Sequence, residues 1–348
     1  MNGSEARADA KARAERVKRH AREVGFDLVG ITGTSVPAGY ARYLSAMEAG
    51  YGAAMTWLTE SPELREDVRN VWPEARSVVV VALSYASEVP GYLSAPLGPD
   101  EGWIARYAQG RDYHIVMKQK LLELARRMSG DALLDAIPTV EQRLFVDTGP
   151  VLEKAFAQAA GLGWIGKNTL LIHPGQHDES LARPAASRGS WYFLGVMLTR
   201  LELAHDAAET DHCGSCTRCL DACPTSAFAS PYVLDARKCI ANWTIETAEP
   251  SEVIDPSQIG QHLFGCDICQ EVCPWNRKIT PTRHDKLKPR PENVRPNMDE
   301  LVALDEEAFG LRFPKSAVKR VTVHQVRQTV AAIKLGQALA TRPDLVGV

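Results

Sequence analysis

The sequence predicts an α/β fold joined to a cysteine-rich module and a short helical C-terminal segment. Three observations carry this. Helical and strand-like segments alternate as far as Leu203; all eight cysteines of the 348-residue chain lie between Cys213 and Cys273; and the chain after Thr280 turns first proline-rich and basic, then helical. Alternation of this kind marks a layered α/β domain. The length allows two or three domains with a sizeable core, and the composition places their bounds at 1–204, 205–279 and 280–348.

From Ala6 to Val24 the pattern is helical, and Gly25 ends that helix before Phe26–Thr32 (FDLVGIT), a short strand. Tyr40–Glu60 forms a second helical region, interrupted at Gly50-Tyr51-Gly52. Ser77–Tyr85 (SVVVVALSY) is an unbroken apolar run rich in valine, which predicts a central strand covered on both faces. After a Pro- and Gly-containing loop come the polar Trp103–His114 stretch and a helix through Arg127. Arg143–Asp147 (RLFVD) predicts another buried strand, and Thr148-Gly149-Pro150 the opening of a helix with proline in its first turn. Val151, Leu152, Ala155, Phe156 and Ala159 keep helical spacing until Gly161. Thr169–His173 and Ser190–Leu203 predict further strands. Thr280–Arg295 (TPTRHDKLKPRPENVR) has the composition of a linker or extended arm. From Met298 the chain is helical, with Val318, Val321, Val326, Val330, Ile333 and Leu339 as its buried positions.

Composition is that of an ordinary globular protein, 45% hydrophobic and 24% charged. A formal charge of -3 carries no global signal for a polyanion, so any such contact rests on a local patch. No apolar run approaches the length that spans a bilayer. The Ala- and Arg-rich N-terminus is interleaved with Glu5, Asp9, Glu15 and Glu23, which argues for a surface helix over a transit peptide, and hence for a cytoplasmic protein with no membrane contact.

The cysteines fall in two runs: Cys213-x2-Cys216-x2-Cys219-x3-Cys223-Pro224, then Cys239, then Cys266-x2-Cys269-x3-Cys273-Pro274. The first is the bacterial-ferredoxin spacing for [4Fe-4S] binding, in which the fourth cysteine of a run ligates the other cluster. The expected sets are therefore Cys213, Cys216, Cys219 and Cys273 for one cubane, and Cys223, Cys239, Cys266 and Cys269 for the other. Disulfide frameworks belong to short secreted chains, and zinc ribbons lack the Cys-Pro endings.

Two clusters make an electron wire, and a wire needs a terminus. Gly161-Leu-Gly163-Trp164-Ile-Gly166-Lys167 follows a helix, whereas a phosphate loop follows a strand, so it reads as a helix end and tight turn. Gly166-Lys167-Asn168 remains able to offer amides and a cation to an acidic cofactor side chain. Asp147 ends a strand just before a helix, where open α/β sheets bind ligands; an N-cap role is the alternative. As a proton donor near neutral pH it needs a raised pKa. Arg106, Tyr107, Asp112, Tyr113 and His114 form a dense polar set, in which Tyr113 and His114 read as structural. Arg65 reads as a loop charge.

Three stretches together resemble the epoxyqueuosine reductases: VDTGPVLEKAFAQAAGLGWIGKN (Val146–Asn168), ARYAQGRDYH (Ala105–His114), and CGSCTRCLDACPTSAF with the later FGCDICQEVCPWN. The resemblance covers roughly Val17 to Lys278. It implies a nitroreductase-like core that binds cobalamin, fused to a bacterial-ferredoxin-like module whose two [4Fe-4S] clusters feed the cobalt. It also implies the reaction, removal of the epoxide oxygen of epoxyqueuosine at the wobble position of a tRNA with a GUN anticodon.

By motif position, Asp147 matches the family's proton donor. The cobalamin pocket would include Arg65, Ala105, Asp147, Leu171, Leu194, Ala241 and Asp267, several of them through backbone or shape. Around Asn242–Glu246 the family approaches tRNA. An unidentified low-potential donor supplies the electrons, and the chain is expected to act as a monomer. Two departures stand out: a longer loop at His177–Arg188, and a C-terminus in which only Lys315–Leu339 resembles the start of the family's HEAT-like repeats. Arg277, Lys278, Arg283, Lys286, Lys288, Arg290, Lys319 and Arg320 are then the candidate tRNA contacts. A corrinoid reductive dehalogenase and a plain dicluster electron carrier are the alternatives.

Overall fold

Among the described residues seven strands precede the cysteines: β1 (Leu28–Thr32), β2 (Ser77–Ser84), β3 (Trp103–Ile104), β4 (Gln142–Phe145), β5 (Trp164–Ile165), β6 (Leu171–Ile172) and β7 (Tyr192–Thr199). They come from a computed structural model that describes residues 3–35, 38–134, 141–175, 187–247 and 254–341. Four of them build one sheet in the order β1-β2-β7-β4, with every neighbouring pair antiparallel. β2 pairs with β7 along its whole length, from Ser77 opposite Thr199 to Ser84 opposite Tyr192.

Every residue of β2 is buried, as the valine run predicts, because helices cover both faces. Successive side chains point to opposite sides of a strand. Val79, Val81 and Leu83 meet Val17 and Ala21 of the Gly3–Val24 helix and Met117, Leu121 and Leu124 of the Tyr113–Ser129 helix. Val78, Val80 and Ala82 meet Trp72, Phe156, Ala157 and Leu162 on the other side. Each fully buried valine or leucine contributes about 1.5–3 kcal/mol, so β2 anchors both layers.

The sequence misleads around Arg143–Asp147. β4 is an edge strand beside β7 alone, and it is half-exposed rather than buried. The sheet has no parallel pair, so the rule that places ligands at a common carboxyl edge does not apply to Asp147. The following helix starts at Glu153, not at Thr148-Gly149-Pro150. Asp147 takes a left-handed φ of 62°, and Gly149 passes so near Phe145 that a Cβ there would lie 2.2 Å from the ring. That turn delays the helix.

Thr280–Arg295 is not a free arm either. Thr282 is buried and grips the end of β2, its N–H donating to Ala86 O (2.8 Å) and its hydroxyl to Ser84 O (2.5 Å). Arg283 and His284 close on Asp27 at 3.0 and 2.7 Å, Leu287 enters the sheet core, and the Arg290 N–H donates to Gln109 O. The segment is a strap.

Beyond it, the Met298–Ala303, Glu306–Arg312 and Val323–Thr341 helices share a core with the cysteine module. Phe309, Phe313, Val318, Val321, Val326, Val330 and Ile333 pack there with Ile104, Ile240, Trp243, Leu263 and Phe264. Leu339 is half-buried, against the expectation. The loop from His177 to residue 186 lies outside the described residues. No described helix is long and apolar enough to cross a membrane.

Candidate active site

A cleft opens between the sheet and the cysteine module, enclosing about 1380 Å³ with the solvent at its mouth included. Tyr192, Phe193 and Leu194 at the start of β7 form one wall, with Tyr85 and Tyr113 stacked on Phe193, both at 4.3 Å between ring centroids. Thr169 and Leu170 of the β5–β6 turn form another. The far wall carries Cys223, Cys239, Cys266 and Cys269 with Ala241 and Asp267. The other four cysteines, Cys213, Cys216, Cys219 and Cys273, line a separate cavity of about 650 Å³ together with Lys167 and Trp275. Asn168, buried, borders both cavities and donates to Cys269 O at 3.3 Å.

Burial pushes the thiols of Cys213, Cys219, Cys239, Cys266, Cys269 and Cys273 up, Cys219 to about 11 and Cys266 and Cys269 further. They become thiolates only when a bound metal centre supplies the compensating charge. Among the described residues no three Cys, His, Asp or Glu side chains close on one point as the ligands of a single metal ion do. Each set of four surrounds a cavity instead, which suits a cluster better than zinc.

The glycine-rich stretch is a helix end followed by the β5–β6 hairpin: Gly161 takes a φ of 74° behind the Glu153–Ala159 helix. Lys167 is not offered to a cofactor side chain. Its ammonium donates to Gly214 O (2.7 Å) and Cys216 O (3.0 Å), bracing the first cysteine loop.

Asp147 stands at the mouth of the cleft, its Oδ2 3.3 Å from His114 Nε2. His114 Nδ1 is 2.8 Å from Asp112 Oδ1, so the imidazole bridges two carboxylates and is more than the structural residue its position suggests. Burial pulls the His114 pKa down, but the hydrogen bonds to Asp112 and Asp147 outweigh it and raise it to about 9. The hydrogen bond from His114 in turn lowers the Asp147 pKa, against the opposing effect of burial, and the Tyr113 hydroxyl adds to the lowering. Asp147 is therefore a carboxylate at neutral pH, contrary to the raised pKa a lone donor needs, and the pair's proton resides on His114. Glu153 Oε1 accepts the Asp147 N–H at 2.8 Å and fixes its backbone, while burial pushes the Glu153 carboxyl up to about 7.

The remaining sequence candidates divide. Leu194, Ala241 and Asp267 line the cleft with Asp147. Asp267 is buried, accepts from Trp103 Nε1 (3.0 Å) and the Arg106 N–H (2.8 Å), and is raised to about 6 by burial. Arg65, Ala105 and Leu171 are not among the lining residues, and all three are buried. Arg65 donates to Glu60 O and Trp57 O, Ala105 N–H donates to Phe264 O, and Leu171 packs under the sheet. Sequence reasoning missed Glu153 and Thr169. Their signals are tertiary: the Asp147 N–H, and a left-handed φ of 65° at Thr169.

An aromatic cleft with four thiols in its wall, a second four-thiol cavity behind them and an acid–imidazole pair at its mouth define an iron–sulfur oxidoreductase. A family model for a 4Fe-4S double cluster binding domain matches residues 212–276, and one described as Epoxyqueuosine reductase QueG, DUF1730, matches residues 65–148. The chain is 39% identical to an epoxyqueuosine reductase of Synechocystis sp., over 84% of this chain and 93% of that one. It is 37% identical to that of Xanthomonas campestris pv. campestris, over 97% and 90%. A crystal structure of an epoxyqueuosine reductase with an epoxyqueuosine-modified tRNA-Tyr stem loop superposes with a TM-score of 0.79 at 28% identity, covering 96% of this chain and 84% of that one. A Bacillus subtilis structure whose catalytic aspartate loop is swung out of the active site gives 0.78 at the same identity and coverage. The chain belongs to the epoxyqueuosine reductase family, and its cysteine module holds two [4Fe-4S] clusters.

Proposed function

We propose that this chain reduces epoxyqueuosine to queuosine at the wobble position of a tRNA with a GUN anticodon, with cobalamin seated in the cleft. Cys213, Cys216, Cys219 and Cys273 are assigned to the outer cluster, and Cys223, Cys239, Cys266 and Cys269 to the inner one. The cleft suits a corrin: it is wide, mostly apolar, and walled on one side by the inner thiols. When bound there, cobalamin supplies a strongly reducing centre for the epoxide carbon, replenished through the two clusters. Leu194, Ala241 and Asp267 line its seat beside Asp147. Arg65, Ala105 and Leu171, buried and outside the lining, are assigned to the seat by motif position alone.

Proton delivery falls to the chain's own residues, and one observation carries the reading: the Asp147–His114 hydrogen bond at the cleft mouth. An oxygen leaving a carbon needs a proton, and a positioned acid contributes about 10²–10⁴-fold to such a step. Asp147 is the residue placed to touch it. His114 holds the proton at neutral pH and restores it to Asp147. Filling the cleft strips water from Asp147, which favours its neutral, proton-donating form. Glu153 and Tyr113 keep the carboxylate aimed.

The 1–204 segment then forms the catalytic layer, 205–279 the electron inlet, and 280–348 a strap and tRNA-facing helices. Arg283, Arg290 and Arg320 are committed to Asp27, Pro314 O and Glu246, which leaves the exposed Arg277, Lys278, Lys286 and Lys319 for phosphates, joined by Lys288 once it gives up its exposed pair with Asp285. The protein works in the cytoplasm as a monomer fed by a low-potential donor. Asp147→Asn tests the reading: it should keep iron and cobalamin but lose at least about 100-fold in turnover on an epoxyqueuosine-containing stem-loop. Full turnover removes Asp147 from the role.

A further inference from the structure

The β5–β6 hairpin packs on the sheet layer, yet two of its residues end at the cysteines of the outer cavity. Trp164 is fully buried there, edge-on to Trp275 and to His212 at 4.8 Å each, and in contact with the core around Cys273. Its indole Nε1 has no hydrogen-bond partner among the described residues, and the Cys213 side chain packs against the same buried cluster. Leaving a buried donor unmet costs about 1–3 kcal/mol. A cluster-bound thiolate, anionic and fixed, is the acceptor that relieves it. Lys167 lines the outer cavity together with Cys213, and its ammonium donates to the carbonyls of Gly214 and Cys216. Asp211 opposes these groups with a negative charge, accepting from the Cys213 N–H and the Tyr232 hydroxyl.

We propose that Trp164 and Lys167 set the reduction potential of the outer cluster, the indole N–H by donating to Cys213 Sγ and the ammonium by its charge beside the Cys213–Cys216 loop. Reduction adds one negative charge to a cluster. Donors and cations that face its sulfurs stabilise the reduced form more than the oxidised one and raise the potential. The sheet layer thereby tunes a cluster whose ligands all come from another part of the chain. The inference rests on assigning Cys213, Cys216, Cys219 and Cys273 to one cluster.

The test is a mediated redox titration of the full-length, anaerobically reconstituted protein, followed by electron paramagnetic resonance. Trp164→Phe keeps the aromatic packing without the N–H, and Lys167→Met keeps the stem without the charge. In each variant one of the two cluster transitions should move to more negative potential, by about 59 mV for a tenfold lower ratio of reduced to oxidised cluster, while the other stays and iron content is unchanged. A purely structural role would lower iron content at an unmoved potential. Should Trp164→Phe lose a cluster, Lys167→Met, altered at a half-buried side chain, decides alone. Two unmoved transitions with full iron overturn the inference and leave the cluster assignment standing. A parent protein with a single transition overturns both.

Discussion

Replacing Asp112 by Asn isolates the proton store from the acid it serves. Asp112 never reaches the cleft lining; it pairs with His114 Nδ1 and caps the Tyr113–Ser129 helix, and Asn caps a helix as well as Asp does. The two carboxylates raise His114 from 6.5 to about 9. At 1.36 kcal/mol per unit that is about 3.4 kcal/mol, and because about a third of the side chain is exposed, screening leaves about half of it. Asn at 112 removes one partner and should drop the His114 pKa by about one unit. The sign is that of a raised base: the pairing stabilises the fold fully below the ordinary histidine pKa and fades as pH rises through about 9 in the parent. In the variant it fades roughly one unit lower. The assay is the pH dependence of kcat under anaerobic conditions, whose alkaline limb reports the essential acid in the loaded enzyme. That limb should move down with the substitution. An alkaline limb in the same place for both proteins refutes the idea that His114 stores the proton.

Gly149→Ala sets a methyl against the Phe145 ring and should cost about 1–3 kcal/mol through strain, read by urea unfolding, while turnover falls as the Asp147 turn shifts. Unchanged stability and turnover show that the turn is not held by that contact. Lys286→Ala with Lys288→Ala should weaken stem-loop binding and flatten the plot of log K against log salt, by about 0.7 for each phosphate no longer neutralised. An identical slope takes the strap away from the RNA.

What the sequence disclosed was mostly local. Cysteine spacing, the valine run of β2 and the apolar end of β7 are visible because periodicity and ligand spacing act over a few residues. Strand order is not: nothing in RLFVD says that its single neighbour is β7 or that it lies at an edge. Proline at 150 suggests a helix start, but the left-handed turn at Asp147 and the contact of Gly149 with Phe145 decide otherwise. Thr280–Arg295 has a linker's composition, yet Thr282, His284 and Leu287 each find a partner more than 195 residues away or in the sheet core. His114 and Trp164 were unreadable for the same reason. The Asp147 carboxylate that meets His114 and the Cys213 side chain that packs beside Trp164 come from other segments.

The central claim is that electrons entering through two clusters reach cobalamin in the cleft and there remove one oxygen from the modified base. Mass analysis of an epoxyqueuosine stem-loop, after incubation with anaerobically reconstituted protein and a low-potential reductant, tests it most directly. The nucleoside should lose one oxygen when cobalamin is present and stay intact when cobalamin is omitted. Conversion without cobalamin, or no conversion by protein that carries both clusters and cobalamin, contradicts the account.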